Sequence, residues 1–192
     1  MIRKPLLVGI ALASTILLQG CANTTHVINL APEANIESQQ RTNTHSIKVN
    51  VSGFDGSAIG SIDTGIGEHA DITIANNVSV ALYQSIQSSL TQLGFTPSQG
   101  RTPSTSITYT IEELSYTTKT LSLKTEAKLV NDIKVTVEKG AKTYTANFKS
   151  EKIDQYGSLP DREDVEQEIN DLVGKTVARS LEDPTILDML SN

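Results

Sequence analysis

Tryptophan is absent from this 192-residue chain, aromatics make up 4% of it, and there is a single cysteine, Cys21. Without aromatic surface there is little material for base stacking, sugar platforms or aromatic cages. One cysteine excludes a disulfide within the chain. Histidine is scarce too. His26, His45 and His69 have no close metal-ligand spacing, so no metal site is expected. Sixteen basic residues against 22 acidic ones give a net charge of −6 with no basic patch. That balance argues against nucleic acid and against electrostatic adhesion to anionic lipid. Long apolar runs are also missing. Leu6 to Leu18 covers about 13 residues, where a membrane-crossing helix needs roughly 20.

What that short run does have is context. Arg3 and Lys4 precede it, small residues close it, and Leu18-Gln19-Gly20-Cys21 follows. A basic start, a short apolar stretch and a small-residue end describe a secretory signal. The ending resembles a bacterial lipobox, which implies cleavage between Gly20 and Cys21 and acylation of Cys21. The alternative, an ordinary signal, leaves an unpaired thiol in an oxidising compartment. One acyl chain binds a membrane only reversibly; the three chains such a cysteine normally carries would hold it permanently. Ala22 rather than Asp follows Cys21, which resembles the outer-membrane sorting pattern. Loss of residues 1–20 removes Arg3 and Lys4 and no acid, so the charge goes from −6 to −8.

The expected domains are a signal peptide over 1–20, a lipidated polar tether over 21–45, and one periplasmic domain over 46–192. Within the tether, "HVINLAPE" carries Val27, Ile28 and Leu30 before Pro32 and can form a short strand docked on the domain edge. "SIKVNV" alternates as a half-buried strand. The glycine-rich stretch that follows reads as a loop with one or two short strands, Ile72-Thr73-Ile74 foremost. Val78, Leu82, Ile86, Leu90 and Leu93 then line one face of a helix, with Asn76 or Asn77 to cap it and Gly94 to end it.

Three alternating segments come next. The first shifts register near Glu112-Glu113, which implies a bulge. The second keeps one parity from Leu121 to Val137, with Leu121, Leu123, Ala127, Leu129, Ile133, Val135 and Val137 odd and Val130 and Asn131 the clear breaks, and as a single strand it would be about 18 residues. It must bend, break near Asn131-Asp132, or project as an arm; one long bent strand fits the unbroken parity best. Lys139-Gly140 makes a turn, and Tyr144, Ala146 and Phe148 share a face of the third. Val165, Ile169, Leu172, Val173, Thr176, Val177 and Leu181 form the dry stripe of a second helix, and Asp183-Pro184 opens a short final one. The expected fold class is α+β: a two-layer sandwich in which two main helices pack on one face of a mainly antiparallel sheet.

No catalytic constellation emerges. Gly65-Ile66-Gly67-Glu68-His69-Ala70 matches G-x-G-x-x-A, but a strand rather than a helix follows, so it reads as a surface loop and no cofactor is expected. Glu112 and Glu113 are neighbours on a strand and point to opposite faces. The acids from Asp161 to Glu168 read as a solvated helix start favoured by the dipole. No serine sits in a G-x-S-x-G or S-x-x-K setting.

The order of these parts resembles the YajG family of bacterial lipoproteins. It is carried by the lipobox, Leu93-Gly94-Phe95 closing the first helix, the Lys139-Gly140 turn between long strands, and the ending Asp183 to Leu187. The resemblance implies a lipid-anchored domain on the outer membrane facing the periplasm. Only Cys21 takes a definite role from it. The expected function is docking of an envelope protein partner, without enzymatic activity. The alternative is a carrier or sensor of a small apolar or cell-wall ligand.

Overall fold

The computed structural model describes residues 25–36, 45–54, 56, 58–63, 69–98, 103–157 and 160–191. Among these described residues, eight strands form one sheet: β1 (His26–Ile28), β2 (Ser46–Ser52), β3 (Ala58–Asp63), β4 (His69–Ile74), β5 (Thr96–Ser98), β6 (Thr105–Thr120), β7 (Thr125–Lys139) and β8 (Lys142–Tyr156). Three helices complete it: α1 (Val78–Gln92), α2 (Arg162–Leu181) and α3 (Pro184–Ser191).

The sheet is organised on β6. One of its edges pairs with β7 along its whole length, and β7 pairs with β8, both antiparallel. The other edge is shared. Ile47 to Ser52 of β2 pair with Thr105 to Thr110, in the first half of β6, and Gly60 of β3 meets Tyr116 in the second half. Beyond β2 lies β5; beyond β3 lie β4 and then β1. The bulge foreseen near Glu112 falls between these halves, since Ile111 faces Ile133 while Glu113 faces Asp132. The extra residue restores the inward direction of Leu114 and Tyr116, both buried.

The long strands β6, β7 and β8 form the expected antiparallel meander, but the sheet as a whole is of mixed orientation. β1 runs parallel to β4, β2 to β5 and β6, and β3 to β6. Parallel pairing needs a long crossover, and the chain makes one between β2 and β6 through β3, β4 and α1. Local alternation carries no sign of strand direction, which is why the pattern alone suggested a plain meander. The long middle segment also ends earlier than its parity implied. Residues 121–124 form a turn, with Leu121 N–H donating to Lys124 C=O (2.7 Å), and β7 then runs unbroken through Asn131-Asp132. Leu123, read as part of the dry face, is 91% exposed.

Helix α1 packs on β2 and β5, α2 on β1, β7 and β8, and α3 on β7. Every apolar residue assigned to the stripes of α1 and α2 is buried. Asn77 caps α1 by accepting from Val80 N–H (2.9 Å). At the other end Gly94 adopts φ +85, Phe95 N–H reaches Leu90 C=O (2.9 Å) and Gly94 N–H reaches Thr91 C=O (3.0 Å), a Schellman motif. Pro97 lies on the edge strand β5, where a missing N–H is tolerated. Asp183 Oδ1 caps α3 through the N–H groups of Thr185 and Ile186 (both 2.9 Å).

Candidate functional site

Residues 26–36 belong to the fold. Val27 and its neighbours form β1, and the chain then continues as an extended strap in which Ile28, Leu30, Pro32 and Ala34 alternate inward. No described strand partners the strap beyond β1, and side chains satisfy its backbone. Asn76 grips Leu30 at both ends, accepting from its N–H (2.8 Å) and donating to its C=O (2.7 Å). Asn170 does the same across two residues, accepting from Ala31 N–H (2.7 Å) and donating to Asn29 C=O (3.0 Å). Asn29 N–H donates to Glu166 Oε2 (2.9 Å), and Arg162 Nη1 donates to Val27 C=O (3.3 Å). The strap passes so close to α2 that a Cβ on Gly174 would lie 2.3 Å from Glu33 O. Between the strap and α1 lies an open cleft of about 460 Å³, lined mainly by polar residues such as Gln84, Ser85, Ser88 and Gln92.

A second cluster joins the start of α2 to the sheet. Tyr156 Oη donates to Glu168 Oε2 (2.9 Å) and Tyr116 Oη donates to Tyr156 Oη (3.4 Å). Lys152 Nζ sits between Asp154 (2.7 Å) and Glu168 (3.1 Å). Burial raises the pKa of both phenols, and the neighbouring Glu168 charge adds to it. Burial opposes the Lys152 charge, but its bonds to Asp154 and Glu168 outweigh that and raise its pKa. No space for a water remains between these groups. Two protonated phenols around a salt-bridged carboxylate make a clamp, not a nucleophile. Deeper in, Tyr109 hydrogen-bonds Ser180 Oγ (2.8 Å), which donates to Val177 C=O (2.7 Å).

The open face of the sheet is laced with charge. Glu112 pairs with Lys134, Glu113 with Lys149 (3.4 Å), and Lys128 with Glu151 (3.0 Å). Glu113 also accepts from Ser115 Oγ (2.7 Å), the main reason its pKa is lowered. The two adjacent glutamates thus serve separate lysines. β8 forms the outer margin of this face and pairs with no described strand except β7. Arg179 closes part of it, donating to Lys149 C=O (3.1 Å) and Ser150 Oγ (3.2 Å).

Gly20 and Cys21 lie outside the described residues, as do Gly65 and Gly67. The rest of that glycine motif, His69-Ala70, opens β4 rather than a helix. Among the described residues no three His, Cys, Asp or Glu side chains gather as metal ligands. The acids of α2 are more than a solvated start: Glu166 holds the strap and Glu168 the tyrosines. Those partners lie in other parts of the chain, Asn29 being 137 residues away, so no local pattern announces them.

The sequence matches the model of an uncharacterised lipoprotein family, Lipoprotein_16, over residues 32–191. The chain belongs to this family, the YajG-type lipoproteins. Among solved structures it is similar to protein XCC0632 from Xanthomonas campestris, with TM-score 0.57 and 9% identity, covering 81% of this chain and 91% of that one. It is also similar to a minor lipoprotein from Acinetobacter baumannii, with TM-score 0.44 and 12% identity over 76% of this chain and 94% of that one. At such identities the first likeness speaks for the fold alone. No curated protein matches the sequence significantly. No helix among the described residues of this lipoprotein is long and apolar enough to cross a membrane.

Proposed function

We propose that this lipoprotein is anchored to the outer membrane by acyl chains on Cys21, faces the periplasm, and acts by docking a protein partner rather than by catalysis. The observation that carries the docking role is β8, a strand of 15 residues paired on one side only among the described residues. Such an edge presents a row of N–H and C=O groups that an extended segment can extend as a further strand. Arg179 occupies the edge at Lys149, which leaves Lys142 to Phe148 for a partner. That segment adjoins the Gly140 turn.

A photocrosslinking residue at Thr143 should give a discrete adduct in cells at native expression, and the same residue at the exposed Gln87 of α1 should not. No adduct at Thr143, or the same adducts from both positions, refutes the docking role. The alternative, carriage of an apolar ligand, is poorly served by the cleft beside the strap, whose lining is mainly amide and hydroxyl.

A further inference from the structure

The β6–β7 turn carries the sequence Lys119-Thr120-Leu121-Ser122-Leu123-Lys124, and Leu123 stands 91% exposed at its tip. An isolated exposed leucine is ordinary. Its position relative to the start of the chain is what matters here. β1 is parallel to β4, β4 antiparallel to β3, and β3 parallel to β6, so β1 runs antiparallel to β6. Through the same registers His26 is level with Ile72, Gly60 and Tyr116. β1 therefore begins, at His26, on the side of the β6–β7 turn and runs away from it.

The lengths agree with this direction. Cys21 is five residues before His26, and Leu121 is five residues beyond Tyr116. Either interval spans at most about 17 Å. The opposite end of the sheet, at Thr105 and the Gly140 turn, is 11 residues from Tyr116 along β6, or roughly 35 Å. With the strands upright on the membrane, a bilayer holding Cys21 thus meets the Leu121–Leu123 turn and leaves the Gly140 turn roughly 35 Å away.

We infer that the β6–β7 turn is a second membrane contact, inserting Leu121 and Leu123 into the interfacial layer beside the lipid anchor. This rests on the acylation of Cys21 proposed above. The turn suits the task. The Leu121–Lys124 backbone bond lessens the polar group exposed on insertion. Lys119 and Lys124 are exposed on either side and can keep their ammonium groups among the headgroups while their stems lie along the leucines. The acidic start of α2 follows Tyr156, which pairs with Thr125 next to the turn, so a zwitterionic phosphatidylcholine surface of no net charge is the appropriate one. The domain then stands end-on, with Lys142 to Phe148 directed away from the membrane.

The chain has no tryptophan of its own, so one introduced indole reports a single place. The full lipoprotein carrying Leu123→Trp, reconstituted in phosphatidylcholine vesicles, should show blue-shifted emission that brominated phosphatidylcholine largely quenches. Ala141→Trp, at the far turn, should stay unquenched. Mass spectrometry of the same preparations reports acylation of Cys21 separately, and thermal melts verify folding. An acylated Leu123→Trp protein whose indole is unquenched, or quenching alike in both variants, overturns the membrane contact and leaves the anchor standing. An unacylated Cys21 overturns the anchor and with it the geometric premise.

Discussion

Replacing Asn76 with alanine should release the strap while leaving most of the domain in place. Asn76 makes two hydrogen bonds to the backbone of Leu30, at 2.8 and 2.7 Å, and Leu30 is 1% exposed. Each such bond contributes about 1 kcal/mol net, and a buried group left unpaired costs about 1–3 kcal/mol. Both Leu30 backbone groups lose their partner at once, but the strap can lift and find water, so the loss should be about 2–3.5 kcal/mol in the free energy that holds it down. Tenfold per 1.4 kcal/mol then gives roughly 25- to 300-fold faster amide exchange at Leu30. Hydrogen exchange read by NMR is the assay, with amides of β7 as the internal reference. Asn77→Ala is the matched control: it removes the α1 cap, worth about 1 kcal/mol, and does not touch the strap. Unchanged Leu30 protection in Asn76→Ala, or equal acceleration in both variants, would refute the assignment of Asn76 as the clasp.

Three other outcomes are expected. Gly174→Ala should lower the melting temperature, because its Cβ would lie 2.3 Å from Glu33 O; overpacking of this kind costs about 1–3 kcal/mol, the reverse of the gain alanine normally brings to a helix. Tyr109, Tyr116 and Tyr156 are held protonated above the ordinary phenol range, chiefly by burial. The unfolded chain releases these protons first, so stability should fall as pH rises past about 10, seen as delayed phenolate absorbance that appears together with unfolding. Cys21→Ser should remove the acyl mass and move the protein out of the membrane fraction; equal partitioning of mutant and wild type would contradict the anchor.

The helices were legible because each buries one stripe, so Val78 to Leu93 and Val165 to Leu181 announce themselves by spacing. The bulge at Glu112 was legible for a similar reason: parity shifts once between Ile111 and Leu114. Strand direction was legible only where a tight turn joins neighbours, as at Lys139-Gly140; β2 alternates in the same way whether its neighbour is parallel or antiparallel. Leu121 and Leu123 misled because a turn can keep the parity of the strand after it. At the strap, Val27 to Pro32 suggested docking, but nothing local shows that Asn76, Glu166 and Asn170 would fasten it. A polar side chain that satisfies distant backbone looks the same in sequence as one that faces water.

The course of β1 and the strap sets how the domain takes a mechanical load. A pull on the N-terminus towards the β6–β7 end acts along the axis of β1, so its bonds to β4 are sheared together rather than peeled one by one. The Asn76, Glu166 and Asn170 bonds act in parallel with them, as separate rivets on α2 and on the link between β4 and α1. Tension applied at His26 is thereby spread into both layers before it can unravel either.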